Sequence, residues 1–300
     1  MLSVLIPIYN YDVNPLVTAL DHQLAKASIP YEIILADDCS NETFREKNAV
    51  LAQGGKIQYI QNQSNMGRAK IRNHLAKAAL YPYLLFIDCD AAIEHQDYIQ
   101  QYLEALETMR KHPMFVINGG VAYQKEQPEN QYLLRWTYGK KREEEKAAQR
   151  SKHPYHHFTP FNVIITKSLF QHIHFDETLT SYGHEDTLFG CQLREQNIPY
   201  LHIDNPLIHK GLDTNEEFLK KIRTSIDNIA QLAKKQDINK QLVADNKLLK
   251  AHRFCSVLGI PILLRRFFKK KQAKMEQRLC QKPSMFWLDL YKLSYLATLK

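Results

Sequence analysis

The sequence predicts an α/β fold: a Rossmann-like, mainly parallel twisted sheet with flanking helices, continued by a helical C-terminal extension. Three observations predict it. Over residues 1–90, short apolar runs rich in β-branched residues alternate with helical stretches of roughly 10–15 residues, the pattern of βαβ units. The runs YEIILA (31–36) and YLLFI (83–87) are apolar without alternation, as strands covered on both faces are. Residues 251–300 then give up the alternation for a basic, aromatic-rich pattern.

Taken in order, Ser3–Ile8 is the first strand. Asn14 supplies an N-cap and Pro15 the first helical position, and Leu16, Leu20 and Leu24 carry that helix to about Ser28. Tyr31–Ala36 is the second strand, ended by Asp37-Asp38. A polar helix over about Asn41–Ala52 leads through Gly54-Gly55 to a third strand, Lys56–Ile60. The loop QNQSNMG precedes a helix over about Arg68–Leu80, and Tyr83–Ile87 is the fourth strand. Further strands are expected near Phe115–Asn118, Asn162–Thr166 and Tyr200–Ile203. Helices are expected near Tyr98–Lys111, Glu185–Gln196 and Glu216–Lys235, the last with Phe218, Ile222, Ile226, Ile229 and Leu232 on one face. Residues 124–157 are polar and dense in charge, Tyr, His and Arg, which predicts a long excursion over a site. Within it, Lys140-Lys141-Arg142 before Glu143-Glu144-Glu145 reads as a solvated helix with opposite charges at i, i+3.

Composition narrows the function. With 44% hydrophobic residues the chain has material for a packed core, which excludes disorder over most of its length. The net charge of +8 is uneven: residues 1–250 sum to −1 and residues 251–300 to +9. A uniformly basic nucleic-acid-binding body is therefore disfavoured, and no nucleic-acid partner is expected. Five scattered cysteines without C-x-x-C spacing fit a reduced cytoplasmic compartment and no zinc site. MLSVLIPIYN carries no charged region or cleavage site of a signal peptide, and Val257–Leu264 is far short of the roughly 20 residues that span a bilayer.

In a parallel sheet, ligands bind beyond the carboxyl ends of the strands. Asp37-Asp38 and Asp88-Cys89-Asp90 both end strands there, and clustered carboxylates need a compensating cation. D-x-D alone is weak, but its place after a fully apolar strand adds weight. A turn that merely caps the strand is the plainer alternative. No Gly-x-Gly-x-x-Gly follows the first strand and no Walker loop exists, which disfavours dinucleotide binding and P-loop kinases. A nucleotide diphosphate remains, its charge met by a divalent metal and by Arg68 or Arg72.

The ordered segments SVLIPIYN, ILADDCS, NMGRAKIRN and LLFIDCD resemble the nucleotide-binding half of family 2 glycosyltransferases, which have the GT-A fold. Phe161-Asn162, FDETLTSYGHED and NPLIH extend the resemblance to about residue 211, and bacterial members that build surface polysaccharides are the most similar. The resemblance implies Pro7 and Tyr9 as walls around the base, Asp38 as acceptor for the base imide, and Asp88 at the ribose or metal shell. It further implies Asp90 as the direct Mn²⁺ or Mg²⁺ ligand, His209 near the metal or diphosphate, and Gly119-Gly120 under the sugar. Asp186 would be the base that takes the acceptor proton, Glu185 would orient the acceptor or a loop, and a single displacement would invert the anomeric carbon. Adjacent helical residues point about 100° apart, so Glu185 and Asp186 cannot both address one oxygen. The sequence departs from the family twice: Asp-Asp-Cys-Ser stands for Asp-Asp-Gly-Ser, and Asp-Cys-Asp for Asp-Ala-Asp.

The resemblance thus divides the chain into a GT-A domain at 1–235, with a nucleotide-binding half (1–118) and an acceptor half (119–235), and a basic amphipathic extension at 236–300. Its partners would be a nucleotide-diphosphate sugar donor and a glycan acceptor. Tyr182 and Trp136 could stack on sugars or lie in the core, and His156 and His157 are expected to be uninvolved. Arg265-Arg266 and Lys269-Lys270-Lys271 interleave with Leu263, Leu264, Phe267, Phe268, Phe286, Trp287, Leu288 and Tyr291. Three readings of that extension stay open: an anchor on an anionic membrane surface, which would place the enzyme on the inner face of the plasma membrane, a helical lid packed on the catalytic domain, and, least favoured, a single-stranded nucleic acid site, which would also use basic and aromatic residues. Two alternatives to the transferase also stand, a sugar nucleotidyltransferase of related fold and a non-catalytic, membrane-tethered glycan-binding module.

Overall fold

The computed structural model describes residues 1–52, 55–178, 183–234 and 246–299. The chain divides into two units, one of Met1–Gln124, Glu144–Thr180 and Leu188–Gly211, the other of Lys125–Glu143, Ser181–Thr187 and Leu212–Lys300. The expected boundary at 235/236 lies outside the described residues, as does Tyr182.

The first unit opens with β1 (Leu2–Ile8), α1 (Asn14–Lys26), β2 (Tyr31–Asp37), α2 (Glu42–Ala49), β3 (Ile57–Gln61), α3 (Arg68–Ala78) and β4 (Tyr83–Ile87). It continues with β5 (Ala91–Ala92), α4 (Tyr98–Met109), β6 (Val116–Asn118), β7 (Val121–Ala122), the short α6 (Ala147–Arg150), β8 (Asn162–Thr166) and α7 (Lys167–His172). The last elements are most of α8 (Glu185–Glu195), β9 (Tyr200–His202) and β10 (Leu207–His209). Seven strands form one sheet in the order β3-β2-β1-β4-β8-β6-β9. It is parallel except where β8 runs antiparallel between β4 and β6.

Strand β1 shows why the sheet is buried on both sides. Val4, Ile6 and Ile8 join Leu16, Leu20 and Leu24 of α1 and Tyr98, Tyr102 and Leu106 of α4 in one core layer. Leu5 points the other way, to Ile71 and Leu75 of α3, Phe170 of α7 and Phe189 of α8. A period of two with both faces apolar gives the unbroken hydrophobic run seen in the sequence. Register pairs Ile8 with Asp37, so the loops after β1 and β2 leave the sheet side by side.

Several expectations shift locally. Helix α1 has Val13 at its cap, because Asn14 is already helical and spends its side chain on Asp12 Oδ1 (2.8 Å) and the Lys47 carbonyl (2.9 Å). The helix stops at Lys26, before Ser28 turns left-handed at φ 53°. Residues 124–157, all among the described residues, hold α5 (Leu133–Arg142), α6 and short 3-10 turns, and no strand. Since α5 ends at Arg142, the acidic triplet follows that helix instead of continuing it. Glu143 returns to Arg135 (3.1 Å), and Glu145 lies 3.4 Å from His157.

In the second unit, α5 is joined by α9 (Asn215–Leu232), α10 (Lys247–Val257), α11 (Pro261–Gln281) and α12 (Met285–Leu296). Helix α9 starts at a reciprocal capping box between Thr214 and Glu217. Its Phe218, Ile222, Ile226, Ile229 and Leu232 are buried, the face the periodicity predicts. Phe268, Met275 and Leu279 of α11 and Leu288, Tyr291 and Leu296 of α12 are buried with them. Phe268, Leu288 and Tyr291 are thus helix-packing residues and not part of an interfacial surface. Tyr291 is held further by its hydroxyl on Glu276 (2.6 Å), which Arg223 also engages (2.7 Å). Among the described residues no helix is long and apolar enough to cross a membrane.

Candidate active site

At the carboxyl end of β2, Asp37 and Asp38 both build the loops around them. Asp37 Oδ1 accepts the Ser40 N–H (2.7 Å) and Oδ2 the Tyr59 hydroxyl (3.0 Å). Asp38 Oδ1 accepts from Met66 N–H (2.6 Å) and Oδ2 from Gly67 N–H (3.0 Å). One carboxylate therefore fixes the entry to α3, at a residue whose φ of 82° suits glycine. Each Asp38 oxygen accepts one loop N–H and keeps a further lone pair, so the carboxylate that holds this loop can also accept from a base imide. The β1 loop is tied in as well, since Asn10 N–H donates to Ser40 Oγ (2.8 Å) and Asn41 N–H to Asn10 Oδ1 (2.8 Å). Beside it, Pro7 is part-buried and Tyr9 is exposed.

Arg68 opens α3 and Arg72 follows one turn later. The Arg72 guanidinium is buried and donates to Asp88 Oδ1 at 2.6 Å. Burial alone would push the Asp88 carboxyl up, but the charges of Arg72 and Arg68 outweigh it and hold the group below its ordinary value. Asp90 behaves oppositely. Burial, with Asp88 adding repulsion, lifts it above the usual carboxylate range, while His209 and Arg68 pull the other way. The two acids of one D-x-D are thus made unequal: Asp88 is favoured as an anion by its arginine partner, and Asp90 is a carboxylate that a further cation would relieve.

A second, three-stranded sheet places Asp90. Its order is β5-β10-β7, and the β5–β10 pairing sets His209 opposite Ala91. The Lys210 N–H reaches the Asp90 carbonyl (2.8 Å), and His209 Nε2 lies 3.3 Å from Asp90 Oδ2. The His209 ring packs among Tyr123 and Phe161. A Cβ at Gly211 would overlap the Asp90 carboxylate, so the chain passes that group closely enough to require glycine. Among the described residues no three His, Cys, Asp or Glu side chains converge as a closed metal cage. A carboxylate beside an imidazole is a donor pair compatible with an open divalent-metal site, the kind that leaves positions for water and phosphate oxygens.

Behind this rim lies a network that sequence reasoning did not single out. Asn162 at the start of β8 is fully buried and uses its whole hydrogen-bonding capacity. Its Nδ2 donates to the Gly120 and Asn205 carbonyls (2.9 Å each), and its Oδ1 accepts the Tyr98 and Tyr102 hydroxyls (2.7 Å each). Arg150 is buried too and donates to Asn118 Oδ1 (2.8 Å) and the Ile203 carbonyl (2.7 Å), with His202 Nδ1 2.8 Å away. These two residues occupy the space that the missing Cβ atoms leave. A Cβ at Gly119 would meet Asn162 and Tyr102, and one at Gly120 would meet Arg150. The glycine pair therefore has protein packed against it on the side where each Cβ would point. His202 belongs to this network and meets the His157 ring edge-on, while His156 stacks on His153.

The segment FDETLTSYGHED starts in the core of this unit. Asn73, the last residue of NMGRAKIRN, clamps Phe175 through both backbone groups, at 3.1 and 2.9 Å. In the other unit the segment ends in two left-handed residues, Gly183 (φ 98°) and His184 (φ 76°), before α8 begins. His184 Nε2 lies 3.0 Å from the Ser225 carbonyl of α9. Glu185 is buried, and Asp186 is part-exposed with Oδ1 accepting the Thr187 N–H at 2.7 Å. Trp136 lies in α5, on the same unit as these acids.

A sheet of this order, with acidic residues at the ends of β2 and β4 and a small second sheet carrying a histidine, defines a GT-A glycosyltransferase. Solved structures agree on the fold. TarS 1–349 of S. aureus has a TM-score of 0.54 at 18% identity, covering 99% of this chain and 90% of that one. The mannosyltransferase PcManGT of Pyrobaculum calidifontis, in complex with GDP-Man and Mn²⁺, has a TM-score of 0.56 at 12% identity, covering 99% and 85%. Residues 3–173 match the glycosyl transferase family 2 model, and the chain belongs to that family. A chondroitin synthase of Escherichia coli is 26% identical over 240 residues, 69% of this chain and 34% of its own length. An uncharacterized glycosyltransferase of Rickettsia conorii is 31% identical over 106 residues, 35% of this chain and 17% of its own. The chain thus spans about a third or less of these curated relatives.

Proposed function

We propose that this family 2 enzyme transfers a sugar, with inversion, from a nucleotide-diphosphate sugar to a hydroxyl of a glycan or lipid-linked glycan in cell-surface polysaccharide synthesis. The observation that carries the donor class is the unequal pair at the end of β4: Asp88 neutralised by Arg72, and Asp90 left beside His209 with its carboxyl lifted. Such a site suits a divalent cation bound together with a diphosphate. Asp90 and His209 would hold Mn²⁺ or Mg²⁺, with Asp88 at the edge of that shell. When bound, the ion supplies positive charge to the leaving diphosphate.

The residues of the chain do the rest. Pro7 and the exposed Tyr9 flank the base, and Asp38, which also holds the loop before α3, accepts from the base imide. Arg68, with Arg72 behind it, adds positive charge on the diphosphate side. Gly119 and Gly120, braced by Asn162 and Arg150, form the floor of the sugar subsite. Asp186, the more exposed of the two acids, takes the proton of the acceptor hydroxyl as its oxygen bonds to the anomeric carbon. The bond from that carbon to the phosphate oxygen breaks, and the nucleoside diphosphate leaves with the electron pair. Glu185, the buried neighbour of Asp186, orients the acceptor or a loop. In this reading residues 1–118 serve the nucleotide, 119–235 the acceptor, and 236–300 form an appendage at the inner face of the plasma membrane.

The relatives support this reading: TarS is known in complex with UDP and with UDP-GlcNAc, and PcManGT with GDP-Man. A panel of UDP-, GDP- and TDP-sugars tests it, with nucleoside diphosphate release as readout and the product anomer determined by NMR. One donor should turn over with Mn²⁺ and give the inverted anomer; a retained anomer, or no turnover of any donor with glycan acceptors present, refutes it.

A further inference from the structure

Helices α10 and α11 form a hairpin around Leu258-Gly259-Ile260, and its tip lacks the packing that orders the rest of the second unit. Phe254 is 69% exposed, Val257 83%, Leu258 58%, Ile262 65% and Leu263 66%. A single exposed leucine needs no explanation, but five large apolar side chains within ten residues of one turn do. Gly259 lies in this three-residue turn with φ 68°, and Pro261 starts α11, so the chain breaks one helix and begins the next within it. Burial resumes only at Phe268, then Met275 and Leu279, which face the helical core.

The charge around this tip has one sign. Residues 247–275 contain nine lysines and arginines and no aspartate or glutamate. Arg253 on α10 and Arg265, Arg266, Lys269, Lys270 and Lys271 on α11 are all exposed. An apolar apex followed, about two turns back, by a collar of cations matches the depth profile of a bilayer with anionic headgroups.

We propose that the α10–α11 hairpin is a membrane-insertion wedge: Phe254, Val257, Leu258, Ile262 and Leu263 enter the acyl boundary of an anionic phospholipid surface, and the arginine and lysine collar binds the headgroups. This deepens the membrane placement offered under the proposed function and stands independently of the transfer chemistry. A nucleic acid is disfavoured as occupant because four of the five tip residues are aliphatic and offer no stacking plane. The anchor and lid expectations for the extension then apply to different parts of it. The distal half of α11 and α12 pack as helices, and the tip binds lipid.

The test uses the purified full chain with vesicles of equal parts phosphatidylglycerol and phosphatidylcholine, and with phosphatidylcholine alone. The wild type should cosediment with the anionic vesicles and lose at least tenfold in partitioning at 0.5 M salt. Leu258→Asp/Leu263→Asp should lose at least tenfold at low salt, and so should Arg265→Ser/Arg266→Ser. Both variants change exposed residues, so each should keep the wild-type melting temperature and donor turnover. Variants that bind anionic vesicles like the wild type overturn the proposal. So does a wild type that ignores vesicles, including one that is a dimer which Leu258→Asp/Leu263→Asp converts to monomer, since a second copy then covers the tip. Loss of turnover in the donor panel with vesicle binding intact refutes the transferase reading and leaves the wedge standing.

Discussion

Asn162→Ala is the sharpest perturbation of the scaffold behind the site. The side chain makes four buried hydrogen bonds, two to the carbonyls of Gly120 and Asn205 and two from Tyr98 and Tyr102. A net contribution of about 1 kcal/mol per bond gives roughly 4 kcal/mol, and stranded partners move the figure upward. Tyr98→Phe removes only one of these bonds and leaves no polar atom behind, so it should cost about 1 kcal/mol. Urea denaturation of the three proteins measures both values, and the double variant should cost less than the sum because the two share a bond. Loosening Gly120 and Asn205 should also weaken donor binding, which fluorescence titration with the nucleoside diphosphate would report. An Asn162→Ala loss below 1 kcal/mol, with donor affinity unchanged, would refute the view that this residue holds the floor of the site.

Gly211→Ala drives a methyl into the Asp90 carboxylate and should lower kcat/KM at least tenfold while circular dichroism stays unchanged. His202 is buried against Arg150, and burial together with that charge brings its pKa down to about 4 from 6.5. The unfolded chain therefore binds the extra proton first, and stability falls as pH drops from 6.5 toward 4, by about 3 kcal/mol at full extent. Urea midpoints at pH 7 and pH 4.5 should show most of that loss, and His202→Gln should flatten it. Cys39 is left-handed at φ 68°, in the turn where the family usually has glycine. Cys39→Gly should raise the melting temperature through about 1 kcal/mol of relieved strain, less the entropy glycine adds to the unfolded chain.

What the sequence made legible follows from how strongly each feature is written. Strands β1, β2 and β4 are buried on both faces, so their composition alone marks them, and Asp37-Asp38 and Asp88-Cys89-Asp90 fall where those runs end. The three strands that bring His209 to Asp90 are two or three residues long, too short for any period to show. The antiparallel place of β8 was equally hidden, since NVIIT reads the same in either direction of pairing. Arg150 gave no signal because its partners are Asn118, His202 and carbonyls instead of a carboxylate at helical spacing. Gly211 was visible as a glycine after NPLIH, but only the course of the Asp90 loop shows why it is one. In the extension, hydropathy could not separate Phe268, buried between helices, from Leu263, five residues earlier and exposed.

In the proposed function a divalent cation would be held at Asp90 and the acceptor proton taken at Asp186. Nucleoside diphosphate binding and sugar transfer, measured with and without Mn²⁺ in the wild type, Asp90→Ala and Asp186→Ala, separate those roles directly. Asp90→Ala should lose Mn²⁺-dependent binding and transfer together. Asp186→Ala should bind the nucleotide like the wild type and lose transfer by at least a hundredfold, and either variant transferring sugar at the wild-type rate would contradict the account.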